Sequence, residues 1–224
     1  MMPKKGRKKG LFLSIEGPDG AGKTTQARLL KERLEKLGLQ VVLTREPGGT
    51  PIGEEIRKLL LNPDFREMTV PCEILLYSAA RAQLVRECIY PSLQKGITVI
   101  SDRYLDSNIV YQGLAGGEKP EIIEMINMWA AGRLLPEITF LLDIDVETGL
   151  RRVRRKHTGA PDWRGDRMEQ KELEFHRKVR QGFLQLASRD AERFFVIQAG
   201  DRPESVHEKI WEKMQEILRN PAKE

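Results

Sequence analysis

Gly17-Pro18-Asp19-Gly20-Ala21-Gly22-Lys23-Thr24 is the stretch that decides the fold. It follows a short apolar run, Leu11-Phe12-Leu13-Ser14-Ile15, and precedes a segment where Ala27, Leu30, Leu34 and Leu37 recur at helical spacing with Gly38 as the stop. A strand that runs into a glycine-rich loop and out into a helix is the setting in which Gly-x4-Gly-Lys-Thr binds phosphate. The glycines let successive backbone N–H groups face one anion, and the helix amino end adds a favourable dipole. There Lys23 neutralises the β- and γ-phosphates of ATP, and the Thr24 hydroxyl is a ligand for Mg²⁺. Residues Gly17 to Thr25 are therefore the expected ATP-binding segment. The competing reading is a glycine-rich turn that only caps a helix.

Outward from this loop the chain alternates. Gln40 to Thr44 reads as a second strand, Glu46-Pro47-Gly48-Gly49 breaks it, and Ile52, Ile56, Leu59 and Leu60 mark a helix. Pro71 to Lys95 is the longest helical pattern, with Pro91 the place for a kink. Ile97 to Ser101 and Ile138 to Asp143 are the third and fourth strands. Between them Ile122 to Ala131 is helical, and Val146 to Lys156 continues the alternation. Glu169 to Ala187 is helical, Phe194 to Gln198 is a fifth strand, and Val206, Ile210, Met214 and Ile217 stripe a final helix. Continuous apolar strands alternating with helices predict an α/β fold: a five-stranded parallel sheet with helices on both faces. Ligands of such sheets sit beyond the carboxyl ends of the strands, here after Ile15, Thr44, Ser101 and Asp143.

The 224 residues suit one domain. Lys4, Lys5, Arg7, Lys8 and Lys9 crowd the first ten residues, and setting them aside leaves 33 basic residues against 33 acids. The net charge of +5 is therefore a tail property, and a solvated end accounts for it without a specific nucleic-acid partner. The expected organisation is a basic disordered tail at 1–10 and a single domain at 11–220, with a lid at about 152–168. The apolar run Leu11 to Ile15 is too short for a signal-peptide core of roughly seven residues or more, and nothing approaches the roughly twenty residues of a membrane span. A cytoplasmic protein is expected. Cys72 and Cys88 match neither a zinc site nor a disulfide framework and read as reduced core residues.

Two further segments fall at strand ends: Thr44-Arg45-Glu46-Pro47-Gly48-Gly49-Thr50 and Asp102-Arg103-Tyr104-Leu105-Asp106-Ser107-Asn108-Ile109-Val110-Tyr111-Gln112. An anionic acceptor held beside a γ-phosphate demands fixed positive charge, which the arginine fork supplies in bidentate form, so Arg45 and Arg103 are suited to clamp it. Asp102 is placed to help hold Mg²⁺ or else to orient Arg103. Tyr77 and Arg81 are four residues apart, on one helical face.

Together with the phosphate loop and Leu76-Tyr77-Ser78-Ala79-Ala80-Arg81, these segments resemble the bacterial type of thymidylate kinase, a P-loop nucleoside monophosphate kinase family. The likeness runs from about Phe12 to the final helix, and Arg-Glu-Pro-Gly-Gly-Thr is its most specific part. The resemblance implies ATP-dependent phosphorylation of thymidine monophosphate (dTMP) to the diphosphate, towards dTTP. It implies clamping of the acceptor phosphate by Arg45 and Arg103, with Pro47 in the same wall. It also implies stacking of thymine on Tyr77, reading of its edge by Arg81, and an approach to base and sugar by Asn108, Tyr111 and Gln112. By the same likeness Asp19 meets the sugar 3′-hydroxyl, and Tyr111 crowds the 2′ position. Members of the family are commonly homodimers, and Ser78, Ala79 and Ala80 suit close helix packing. The phosphate loop has no arginine, so the resemblance assigns transition-state charge to lid arginines, for which Arg155 and Arg167 are the choices. The nearest rival is a kinase of the same fold acting on uridine monophosphate; a non-catalytic nucleotide-binding module is the other.

Overall fold

Five strands, β1 Phe12–Glu16, β2 Val41–Arg45, β3 Thr98–Asp102, β4 Ile138–Asp143 and β5 Phe194–Gln198, form one parallel sheet in the order β2-β3-β1-β4-β5. The computed structural model describes residues 10–156 and 165–219. β1 is central: the chain builds the β3–β2 side first and then crosses to β4 and β5. That reversal opens a crevice at the carboxyl end of β1, where the phosphate loop leaves the sheet.

Every residue of β1 and β4 is buried, because helices cover both sheet faces. Side chains alternate between two cores. Leu13, Ile15, Ile100, Phe140 and Leu142 pack with Leu30 and Leu34 of α1 (Lys23–Glu35) and with Ile210 and Met214 of α9 (Pro203–Arg219). Phe12, Val99 and Leu141 face the opposite core with Leu84 of α3 (Val70–Leu84), Ile123 of α6 (Pro120–Ala130) and Phe183 of α8 (Leu173–Arg189). Removing one fully buried aromatic such as Phe140 costs about 3–5 kcal/mol on truncation to alanine. α2 (Pro51–Leu61) packs on α3, α4 (Tyr90–Gln94) leads into β3, α5 (Leu105–Asn108) follows it, and α7 (Val146–Lys156) follows β4.

Pro91 does not break the long helix. A π-helical turn at Val85–Ile89 precedes it, with Tyr90 N–H reaching back to Val85 O, so the rod continues to Gln94 despite the N–H that proline lacks. A second π turn, Ile109–Leu114, extends α5 and carries Tyr111 and Gln112.

Several expectations need correction. Gly10 belongs to the body and not to the tail: it is buried and its N–H bonds Leu93 O at 2.8 Å; residues 1–9 lie outside the described residues. α8 starts at Leu173 instead of Glu169, because Asp166 Oδ1 captures the N–H groups of Met168 and Glu169 in a separate turn. Cys72 is exposed and so not a core residue, whereas Cys88 is half-buried and packs against the core. Ile52 and Leu59 face outward from α2, leaving Leu60 as its inward anchor. Ser78 and Ala80 are buried within the subunit, Ser78 Oγ bonding Asn127 Oδ1 of α6 at 3.4 Å, so of the three small residues only Ala79 is exposed.

Candidate active site

At the carboxyl end of β1 the chain turns through the loop with Gly22 in the left-handed region, φ 93°, as it enters α1. Gly20 is pressed against α7: a Cβ added there would lie 2.0 Å from Gly149 O. Gly149 is a partner that the sequence motif did not include, and its lack of a side chain lets α7 back the loop. Lys23 is buried and its Nζ donates to Gly17 O at 3.0 Å and Pro18 O at 2.8 Å. Gly17 and Pro18 thus hold the lysine from behind, while Asp19, Gly20, Ala21, Gly22, Lys23, Thr24 and Thr25 form the wall of a cavity of about 750 Å³. Burial, then repulsion from Arg103, brings the Lys23 ammonium down to about 8 against the pull of Asp19 and Asp102.

The same cavity holds the acceptor candidates. Arg45, Pro47, Tyr77, Arg81, Asp102, Arg103, Asn108, Tyr111 and Gln112 all line it, although they come from three separate stretches of chain. Arg103 follows β3 with a left-handed backbone, φ 68°, a conformation costing roughly 1–2 kcal/mol for a residue with a Cβ. Its fork is fully engaged: Nη1 donates to Gly17 O at 3.1 Å and Ser107 Oγ at 2.9 Å, and Nη2 to Asp19 Oδ1 at 2.5 Å and Tyr111 Oη at 3.1 Å. Burial opposes the charge on Asp19, but Arg103 and Lys23 outweigh it and hold the carboxyl below its ordinary range. Arg45 is half-exposed and paired with Glu54 Oε2 at 2.8 Å.

Arg81 is 1% exposed. Its Nε and Nη2 grip Glu46 Oε2 at 2.9 and 2.7 Å, and its Nη1 donates to Asn127 Oδ1 at 2.5 Å. The Glu46–Pro47 peptide is cis. Burial, outweighing Arg81, pushes Glu46 up to about 7. Glu16, at the end of β1, accepts from Tyr104 N–H at 2.7 Å and Ser107 Oγ at 2.6 Å, and burial together with Asp106 raises it to about 7. It braces Ser107, which in turn accepts from Arg103, so Ser107 is a bracket between the two. Glu16 carried no sequence signal beyond adjacency to a strand end, and Glu46, although inside the Arg-Glu-Pro-Gly-Gly-Thr segment, was given no role of its own.

Thr24 Oγ1 donates to Asp102 Oδ2 at 2.5 Å. A hydroxyl and a carboxylate oxygen in contact beside Lys23 are hard oxygen donors of the kind Mg²⁺ takes, so this pair fits the ion. Among the described residues no group of three or more His, Cys, Asp or Glu could hold a metal.

The lid arginines are not where the sequence put them. Arg155 is exposed and does not line the cavity. Arg167 is buried: its Nη1 forms an ion pair with Glu73 Oε1 and its Nε donates to Leu60 O at 3.0 Å. Ion pairing in a buried pocket between α2 and α3 turns it from the phosphates. Arg152, one turn before the end of α7, is the residue of that helix that reaches the cavity with a guanidinium, donating to Ala199 O at 3.0 Å and Gly200 O at 2.9 Å. Arg57 also lines it and donates to Pro47 O at 2.9 Å; its place three residues after Glu54 was the overlooked signal. Arg164 lies outside the described residues.

A phosphate loop and an arginine-walled pocket sharing one cavity define a P-loop phosphotransferase of the nucleoside monophosphate kinase class. The family model for thymidylate kinase matches residues 15–210. The thymidylate kinase of Halothermothrix orenii is 46% identical over 94% of this chain and 99% of its own length. That of Deinococcus radiodurans is 46% identical over 92% and 97%. A crystal structure of thymidylate kinase from Ehrlichia chaffeensis superposes with a TM-score of 0.73 at 32% identity, covering 92% of this chain and 99% of that one. The chain belongs to the thymidylate kinase family.

Proposed function

We propose that this cavity transfers the γ-phosphate of ATP in line to the 5′-phosphate oxygen of dTMP, giving dTDP and ADP. One observation carries the reading: the loop around Lys23 and the arginines Arg45 and Arg103 face a single cavity of about 750 Å³, so donor and acceptor phosphates meet without a covalent enzyme intermediate. Lys23 exchanges its two carbonyl partners for β- and γ-phosphate oxygens and stabilises charge that builds up in transfer. Thr24 and Asp102 would hold Mg²⁺, which supplies further charge neutralisation on the triphosphate. Arg45 and Arg103 orient the acceptor phosphate, and alignment of the two substrates provides much of the rate. Tyr77 offers its face to the base, Arg81 and Asn108 its polar edge, and the Asp19–Tyr111 pair closes on the deoxyribose. Arg152, the α7 arginine that lines the cavity, takes the transition-state role for which Arg155 and Arg167 were expected.

A homodimer is part of this proposal. Ile52 and Leu59 of α2, Leu75 of α3, and Ile122, Met125 and Trp129 of α6 are exposed apolar side chains on three helices that pack side by side, an array suited to a second copy. A cytoplasmic site accords with use of ATP and with two free cysteines. No described helix is long and apolar enough to cross a membrane. Initial rates of ADP release with dTMP, dUMP, UMP and dCMP test the assignment: dTMP should give the highest kcat/KM, and a preference for UMP would replace it with the uridine reading.

A further inference from the structure

A buried hydrogen-bond chain runs from the lid end to the cavity wall. Arg167 Nη1 is paired with Glu73 Oε1, Gln112 Nε2 donates to Glu73 Oε2 at 2.8 Å, and Asn108 Nδ2 donates to Gln112 Oε1 at 2.8 Å. Glu73, Asn108 and Gln112 are each at most 4% exposed. The last atom of the chain, Asn108 Oδ1, is buried and has no hydrogen-bond partner among the described residues, and Asn108 lines the cavity together with Tyr77 and Arg81.

Carboxamides can be turned either way, with nitrogen and oxygen exchanged, unless something fixes them. Here the fixed end is Glu73. A carboxylate paired with a guanidinium accepts, so Gln112 presents its NH₂ to Glu73; Gln112 then offers oxygen to Asn108, Asn108 presents its own NH₂, and its oxygen is the atom left without a partner among the described residues. Arg167 supplies the counter-charge beside Glu73, and that pairing holds this lid-end arginine in its buried pocket. An unpartnered oxygen on a cavity-lining residue suits a pyrimidine whose ring N3 carries hydrogen, as in thymine and uracil. It opposes cytosine, whose N3 is an acceptor.

We propose that Glu73, held by Arg167, is a positioning residue that sets the donor–acceptor direction of the Gln112–Asn108 pair and thereby selects bases with an N3–H over cytosine. The inference rests on the dTMP-kinase reading. With Glu73→Gln the terminal group can donate or accept, and the direction of the chain is no longer imposed. A site built around one hydrogen-bond pattern rejects the opposite pattern strongly, so the ratio of kcat/KM for dTMP over dCMP should fall by about tenfold or more, while KM for ATP stays within about twofold of the parent. Glu73→Asp, which keeps the carboxylate, should retain most of the ratio. Gln112→Leu interrupts the relay without touching the ion pair and serves if Glu73→Gln fails to fold; it should lose the ratio similarly. A ratio unchanged in either folded variant overturns the inference, as does an equal loss for dTMP, dCMP and ATP with lowered Tm, the mark of a mere strut. If the parent itself does not turn over dTMP, the functional reading fails instead.

Discussion

The donor and acceptor halves of the cavity are built from different material. The donor half is backbone: consecutive residues Gly17 to Thr25, close-packed on Gly149, with Lys23 held by two carbonyls of its own loop. The acceptor half is made of side chains locked in pairs across long stretches of sequence, such as Arg81 with Glu46, Arg103 with Asp19, and Arg167 with Glu73. A backbone cradle is specified locally and survives most substitutions around it. A wall of buried ion pairs depends on every partner, because one charge left without its mate is costly. The donor half should therefore fail through a single residue, and the acceptor half through any of several.

The largest effect is expected at the donor side. Lys23→Ala should lower kcat by roughly a thousandfold with little change in Tm, read in a coupled assay of ADP release. Next, Arg103→Ala should cut kcat/KM for dTMP by roughly a hundredfold while KM for ATP changes little; equal damage to both substrates would erase the division between the halves. Glu46→Gln comes third. It leaves Arg81 charged and 1% exposed, so unfolding stability should drop by about 3 kcal/mol in urea titration, with about a tenfold loss in kcat/KM for dTMP. The smallest effect is one of pH. Lys23 carries its charge below its value of about 8 and loses it above, so kcat/KM for ATP should be level well below that pH, about halved at it and down about tenfold by pH 9.

This contrast also accounts for what the sequence made legible. The five strands and the loop at residues 17–24 are local patterns, and the parallel sheet with helices on both faces follows from them. Arg45 and Arg103 were found because they stand at strand ends, Tyr77 and Arg81 because they share helical spacing, and Asn108, Tyr111 and Gln112 through the family resemblance; the structure gathers all of them in one cavity. Arg155 and Arg167 were chosen through the family's lid, and neither lines the cavity; for Arg167 the cause is Glu73, 94 residues away in sequence, which claims its guanidinium. Glu16, Gly149 and the pairing role of Glu46 were missed for the same reason. Each acts by meeting a distant part of the chain, and no local period announces such a meeting. Ile52 and Leu59 misled in the opposite sense, since an apolar stripe tells only that a face is covered, not whether the cover is this chain.

The central claim is that one cavity contains two adjoining anion pockets, one for a triphosphate and one for a nucleoside monophosphate. A crystal structure with dTMP and a non-hydrolysable ATP analogue tests it most directly. The expected result has the triphosphate on Lys23 and the loop amides, and the dTMP phosphate between Arg45 and Arg103 with its base against Tyr77. An acceptor pocket that stays empty under saturating dTMP, with Arg45 and Arg103 turned to solvent, would contradict it.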